Sequence, residues 1–188
     1  MNHKKNNVVR KCSGGLAKAV TLFTLLLLTA CTGLPKGIEP IDSFDVERYL
    51  GTWYEIARLD HRFERGLSNV SATYRLKEDG TLEVINRGFK EDEQTVSEAV
   101  GRARFARGDK EGYLKVSFFG PFFGSYVVFD LDEDYSRAYV TGNSRSYLWF
   151  LSRSRQVSEF QKDRFIQRAT ALGFDLDELI WVDQSREP

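Results

Sequence analysis

Short runs of β-branched and aromatic residues recur between residues 53 and 151, and turn sequences such as Lys77-Glu78-Asp79-Gly80 and Gly142-Asn143-Ser144 separate them. The eight predicted strands are 53–59, 70–76, 82–89, 95–105, 113–118, 125–131, 138–141 and 147–151. Because the connections are short, each strand should pair with the next in an antiparallel up-and-down meander. An all-β, eight-stranded antiparallel barrel is therefore expected, with an interior that fits one small ligand.

The pattern changes after residue 157. Ser158 and Gln161 have the spacing of a capping box, and Phe165, Ala169 and Leu172 share one helical face that ends at Gly173. These features predict one C-terminal α-helix packed outside the barrel, and residues 179–182 predict a short final strand.

The N-terminus has the organisation of a bacterial secretory signal. Five basic residues and no acid precede an apolar run over 19–30, which ends in Leu28-Thr29-Ala30-Cys31. This ending resembles the bacterial lipobox, which implies cleavage after residue 30 and S-diacylglyceryl and N-acyl (palmitate) groups on Cys31. The alternative is a chance cysteine beside an ordinary cleavage site. Thr32 is not an aspartate, and in Gram-negative lipoproteins this points to the outer membrane.

Residues 31–43 contain several Gly and Pro residues and are predicted to form a lipidated tether. Residues 44–188 are predicted to form the folded domain.

Composition limits what the mature domain can do. The chain has 27 basic and 27 acidic residues, so loss of the signal peptide leaves 22 basic against 27 acidic residues. That balance argues against a nucleic-acid partner. His61 is the one histidine after residue 30, too few for a zinc cluster and poorly placed for a catalytic triad. We therefore expect no metal, no cofactor and no enzyme activity.

The first strand opens with Gly51-Thr52-Trp53, and this motif resembles the opening of lipocalins. Asp134-Tyr135 in the turn between strands six and seven, and Arg153 after strand eight, fit two further lipocalin blocks. The resemblance implies that Arg153 packs over Trp53 at the closed end of the barrel, and the topology brings all of these positions to one end. The stretch over 48–58 looks most similar to bacterial outer-membrane lipoproteins of the lipocalin family, with animal apolipoprotein D a more distant relative.

Alternation along the strands predicts which side chains line a cavity. The inward set is expected to be Glu55, Ala57, Leu59, Tyr126, Val128, Tyr139, Tyr147 and Trp149. This apolar and aromatic lining suits an acyl chain. The alternative is that these residues fill a solid core.

The turn between strands five and six contains Phe118, Phe119, Phe122 and Phe123, which is abnormal for a solvated loop. We expect it at the open mouth, as a lip that admits the ligand, touches the membrane or meets a partner. Alternatively, it folds back into the barrel. Arg62 and Arg65 lie at the same end, either to attract a phosphate or carboxylate or as solvated charges.

The resemblance implies a membrane-anchored protein on the periplasmic side that stores or transports fatty acids or lysophospholipids for membrane maintenance, under stress. The alternative is a ligand-free structural or interaction lipoprotein that uses the phenylalanine turn to bind a partner. A homodimer is a further expected partner interaction in either case. A lipid-modifying enzyme is the least favoured hypothesis, since the acidic groups at 91–93 and 132–134 fall in turns.

Overall fold

The computed structural model describes residues 33–186. The elements are α1 (Val46–Tyr49), β1 (Gly51–Leu59), β2 (Leu67–Leu76), β3 (Leu82–Lys90), β4 (Thr95–Phe105), β5 (Tyr113–Phe119), β6 (Phe122–Leu131), β7 (Arg137–Thr141), β8 (Leu148–Ser152), α2 (Glu159–Ala171) and β9 (Leu179–Trp181). The predicted signal peptide and Cys31 lie outside the described residues. In the part that is described, no helix is long and apolar enough to cross a membrane.

The eight predicted strands pair in sequence order and close into a barrel. Each strand is antiparallel to its neighbours, and β1 pairs with both β8 and β2, for example Gly51 with Tyr74. β9 pairs with the C-terminal part of β1, for example Trp181 with Ala57. The predicted fold class is confirmed. The β5–β6 hairpin is tighter than expected, because β6 begins at Phe122.

Helix α2 covers one side of the barrel. Ser158 and Gln161 form the predicted capping box. Phe165 is fully buried, and its ring centroid lies 5.0 Å from those of Phe150 and Tyr139 on the barrel's outer face. Burial of such a ring contributes about 1.5–3 kcal/mol, which holds α2 in place without a disulfide.

Residues 33–43, which we call the strap, are packed against the barrel. Ile38 is 2% exposed and joins the cluster beneath α2. The N–H of Ile41 donates to the carbonyl of Val128 at 2.9 Å, and the N–H of Gly112 donates to the carbonyl of Ile41 at 2.8 Å. The Gly and Pro residues of this segment indicate chain flexibility, but composition does not reveal the long-range contacts of its few apolar residues.

Candidate ligand-binding calyx

The inner face of the barrel follows from the strand register. Trp53 pairs with Ala72, Ala72 with Asn86, and Asn86 with Ala99, so these residues share one face. That face belongs to a core cluster that lacks any residue of α2, whereas the opposite face packs beneath α2. The first face is therefore the barrel interior.

Burial along the interior differs between the two ends. Near the start of β1, the interior is filled by buried side chains, namely Tyr49, Trp53, Tyr74, Leu82, Val84, Ala103, Leu114, Val128, Val140 and Leu151. Towards the other end, inward-facing side chains remain partly accessible, namely Ala72, Ala99, Val116, Phe118, Tyr126 and Trp149. The barrel is thus a calyx, with a solid floor at the closed end and an accessible interior at the mouth.

Trp53 forms the floor. Its side chain is fully buried, and the indole Nε1–H donates to the carbonyl of Tyr49 at 2.8 Å. The ring of Tyr49 lies 4.7 Å from that of Trp53, and Tyr49 belongs to α1, which the side chain of Asp45 caps. Helix α1 therefore closes the barrel end, as short helices do when their side chains plug an opening.

Arg153 packs across the outside of this floor. Its guanidinium carbon lies 3.9 Å from the Trp53 ring centroid. The guanidinium donates to the carbonyls of Thr52 and Leu50, both at 2.8 Å, and of Arg48 at 2.9 Å. A planar cation with five donors suits this combination of ring stacking and several hydrogen bonds.

Gly51, Tyr135 and Asp134 complete the closed end. Gly51 has φ +88°, and a Cβ at this position would lie 3.4 Å from Nη1 of Arg153. The Tyr135 hydroxyl accepts from the N–H of Asp45 at 2.8 Å, while Asp134 accepts from the N–H of Ser136 at 3.0 Å. The structure thus brings the five predicted closed-end residues to one end of the barrel.

Three tyrosine hydroxyls meet above the floor. Tyr126 lies between Tyr49 and Tyr74, with oxygen–oxygen distances of 2.7 and 2.8 Å. Burial, the largest cause, raises the pKa of all three phenols, so they stay neutral. They give the bottom of the accessible interior a polar surface without charge.

A buried contact between Arg58 and Glu55 lies higher in the interior. Arg58 is 2% exposed, and its Nη1 donates to Oε1 of Glu55 at 2.6 Å. Its Nη2 donates to the carbonyls of Glu64 and Leu67 at 2.8 and 3.1 Å. Its buried Nε has no hydrogen-bond partner among the described residues, and the same is true of Oδ1 of Asn86. These two atoms therefore lack the partner that a buried polar atom normally has.

Glu64 extends this cluster to the mouth. Its Oε2 accepts from Nε1 of Trp149 at 3.0 Å and lies 3.0 Å from Nε2 of His61. These contacts connect the β1–β2 loop to β8, so the loop is held over one side of the mouth.

The two carboxyl groups have opposite pKa shifts. Burial, together with the Glu64 charge, raises the pKa of Glu55 despite the attraction of Arg58. Burial would also raise the pKa of Glu64, but hydrogen bonds from His61 and Trp149 and the nearby positive charges outweigh it and lower that pKa. Burial thus opposes ionisation of Glu55, whereas the hydrogen bonds and positive charges around Glu64 favour its ionised form.

Ala57 and Leu59 do not line the interior, contrary to the prediction. The register of β1 against β8 shifts between Glu55 and Ala57, so Arg58 opposes the inward Trp149. Ala57 and Leu59 instead belong to the cluster on the α2 side. A β-bulge reverses the alternation in this way, and nothing in the residue types of β1 announces it.

Tyr139 is the third cavity prediction that the structure contradicts, because its ring packs against Phe165 of α2. Its neighbours Ala138 and Val140 face inward. Val128 also faces inward but is fully buried, and Tyr147 stacks on Trp149 with centroids 6.0 Å apart. Of the predicted lining, Glu55, Tyr126, Val128, Tyr147 and Trp149 lie in or beside the interior.

Sequence reasoning did not place Arg58, Glu64, Asn86 or His61 in the interior. Charged and amide side chains on strands and loops are usually solvated, so they gave no local signal of burial. Residues three positions apart on a regular strand point to opposite faces, so Glu55 and Arg58 share the interior only because of the β-bulge.

The phenylalanine turn is divided between the two faces. Phe118 points inward over Gly101 and is half-buried, whereas Phe119 and Phe122 are 74% and 79% exposed. Phe123 lies on the outer face under Arg102 and Arg104.

The two predicted arginines of the mouth lie on the β1–β2 loop. Arg62 is exposed beside Phe63, and Nε of Arg65 donates to Asp60 at 2.9 Å.

The described residues contain no group of three or more His, Cys, Asp or Glu side chains that could hold a metal ion.

Comparison with known proteins fits this architecture. The lipocalin-like domain family matches residues 44–184. The chain therefore belongs to the lipocalin-like family, whose members are binding proteins built on such barrels. Insecticyanin from the tobacco hornworm Manduca sexta superposes with a TM-score of 0.66 at 19% identity, over 82% of this chain and 88% of that one, which shows a shared fold.

More similar relatives are bacterial. Outer membrane lipoprotein Blc of Vibrio cholerae is 52% identical over 160 residues, covering 85% of this chain and 94% of the relative. Outer membrane lipoprotein Blc of Escherichia coli K12 is 47% identical over 169 residues, covering 90% and 96%. Apolipoprotein D of Cavia porcellus is 28% identical over 184 residues, covering 87% and 96%.

Proposed function

We propose that this protein is a lipid-anchored lipocalin of the outer membrane, on its periplasmic face, that binds fatty acids or lysophospholipids. Its role would be to store or transport these lipids for membrane maintenance under envelope stress. The observation that carries the proposal is the calyx itself, in which apolar and aromatic side chains face inward and yet remain accessible above a solid floor.

The lining suits a single-chain amphiphile. Each methylene group moved from water into an apolar interior contributes about 0.8 kcal/mol. The buried Nε of Arg58 and Oδ1 of Asn86 could bind oxygen and hydroxyl groups of a head or glycerol unit. The raised pKa of Glu55 would lessen its repulsion of an anionic head, and Glu64, whose ionised form is favoured, lies nearer the mouth. These features support binding rather than catalysis.

The anchor rests on two supports. Leu28-Thr29-Ala30-Cys31 resembles the lipobox, and the relatives from V. cholerae and E. coli are named outer membrane lipoproteins. More than one acyl chain on Cys31 would make the attachment lasting.

Thermal unfolding with added lysophosphatidylethanolamine tests ligand binding. Below the concentration at which micelles form, a ligand at 100 times its Kd should stabilise the fold by about 2.7 kcal/mol. Ala99→Trp places a large ring on the inner face and should abolish the shift. Val100→Trp is the matched control, because Val100 is the next residue, faces outward and is 54% exposed. Native mass spectrometry gives the bound lipid and the oligomeric state in the same measurement.

A protein that shows no stabilisation and carries no lipid in the native mass spectrum would refute lipid binding. That result would favour a ligand-free interaction lipoprotein. Release of free fatty acid from lysophospholipid by purified protein would instead favour an enzyme.

A further inference from the structure

The strap runs along the outside of the barrel from the closed end towards the mouth. At the closed end, the N–H of Phe44 donates to the carbonyl of Lys110 in the β4–β5 turn at 2.8 Å. Ile41 then pairs with Gly112 and Val128, and Ile38 is buried beneath α2. Its path is fixed by these contacts.

The N-terminal part of the strap lies near the mouth. Nη2 of Arg145, in the β7–β8 connection, donates to the carbonyl of Lys36 at 2.7 Å. Oγ of Ser125 donates to the carbonyl of Gly33 at 3.0 Å, and Ser125 is only three residues from Phe122 on the same strand. Both connections, β5–β6 and β7–β8, belong to the mouth.

This path decides where an anchor would leave the domain. Cys31 precedes Gly33 by two residues, and two peptide units span at most about 8 Å. The α-carbon of Cys31 can therefore lie no more than about 8 Å from that of Gly33, so acyl chains on Cys31 would leave the domain near the β5–β6 hairpin.

Exposed aromatic rings occur at the same end. Phe119 and Phe122 at the hairpin tip are 74% and 79% exposed, and Phe63 on the β1–β2 loop is 59% exposed. Arg62 lies over Phe63 with its guanidinium carbon 5.0 Å from the ring centroid. Apolar rings with a neighbouring cation are the usual composition of a surface that enters a lipid headgroup layer.

We propose that the mouth of the calyx docks on the membrane that holds the anchor, with Phe119 and Phe122 inserted among the lipids. The inference rests on the proposed acylation of Cys31. A ligand would then pass between bilayer and calyx without crossing water. The β3–β4 turn, which carries Glu91, Asp92 and Glu93, is exposed on the same rim. The barrel therefore tilts, with the β5–β6 hairpin deepest.

Spin-label depth measurements on the mature acylated protein test this orientation. Acylation consumes the thiol of Cys31, so an introduced cysteine is the one free thiol of the mature chain. Gly120→Cys labels the hairpin tip, and Gly108→Cys labels the closed-end β4–β5 turn. The two sites are matched, because both glycines are exposed and an added Cβ meets no atom within 4 Å at either.

The proteins are placed in lipid nanodiscs that hold a single copy. We expect the accessibility ratio of oxygen to a water-soluble nickel chelate to be several-fold higher at residue 120 than at residue 108. Equal, water-like ratios at both positions would overturn the inference. If residue 120 is shielded from the nickel chelate only in discs that hold two copies of the protein, the inference is also overturned, because the hairpin then contacts a second chain.

Removal of the exposed rings gives the second test. The double change Phe119→Ser/Phe122→Ser should return the label at residue 120 to water and slow lysophospholipid transfer from vesicles roughly tenfold or more. Phe160→Ser is the matched control, since Phe160 is 75% exposed but lies at the start of α2, away from the mouth. An unchanged transfer rate in the double variant would contradict the inference.

Equilibrium affinity separates the two proposals. Loss of lysophospholipid binding with residue 120 still in lipid would refute the proposed function alone. Intact binding with residue 120 in water would refute the docking alone. A mature mass without acyl groups would refute both.

Discussion

Replacement of Arg153 by methionine should weaken the closed end by a predictable amount. Methionine keeps an apolar side chain over Trp53 but loses the charge and the three short hydrogen bonds to Thr52, Leu50 and Arg48. Each bond contributes about 0.5–1.5 kcal/mol net. The guanidinium–indole contact contributes about 1 kcal/mol. The free energy of unfolding should therefore fall by about 3–5 kcal/mol.

Urea and thermal unfolding at neutral pH measure this change. For a domain of this size, 1 kcal/mol corresponds to a shift in Tm of about 2–4 °C, so Arg153→Met should lower Tm by roughly 10 °C. Arg153→Lys should cost about half as much, because the ammonium keeps the contact with the ring but not the fork of donors.

Arg155→Met is the matched control for that experiment. Arg155 also lies over an aromatic ring, that of Tyr54 at 4.6 Å, and donates one bond, to the carbonyl of Arg186. Its loss should cost under about 1 kcal/mol, as is usual for surface interactions of a cation. Equal costs for Arg153→Met and Arg155→Met would refute the view that Arg153 holds the floor in place.

Three further changes test other parts of the fold. The raised pKa of Glu55 means that the stabilisation from its protonated form is complete below the unfolded pKa of about 4.3 and is lost as pH rises through the folded pKa. Glu55→Gln should therefore flatten the decline of the urea midpoint as pH rises above the unfolded pKa, and an unchanged slope would contradict the shift. Phe165→Ala should cost about 3–5 kcal/mol in unfolding experiments, while Phe160→Ala on the exposed face of α2 should cost under about 0.5 kcal/mol. Gly51→Ala should cost about 1–3 kcal/mol because of its φ of +88°, whereas Gly124→Ala, with no positive φ and its nearest atom 3.9 Å away, should be close to neutral.

The sequence was sufficient for the parts of the fold that depend on local patterns. Alternation and turn residues gave eight strands in order, and a capping box gave the start of α2. The closed end was also predictable, because the up-and-down topology brings the start of β1 and the end of β8 together. Gly51, Trp53 and Arg153 needed only that topology to meet.

Non-local features were not predictable from the same patterns. The β-bulge in β1 exchanged Ala57 for Arg58 on the inner face, and no residue type marks it. The strap looked like a tether because of its Gly and Pro residues, whereas Ile38 and Leu34 pack against the cluster beneath α2. Both features depend on contacts with strands far away in the chain.

The buried charges explain how the mouth keeps its shape while the interior stays accessible. A buried ion pair adds little net stability, because the loss of hydration offsets most of the attraction. The contacts of Arg58 and Glu64 nevertheless connect β1, the β1–β2 loop and Trp149 of β8 through bonds of 2.6–3.1 Å. Apolar residues could brace the loop only if they filled the space between these elements. Directional bonds fix the rim with few atoms, so the stability of the barrel comes from the packed floor and α2, and the upper interior can remain a binding site.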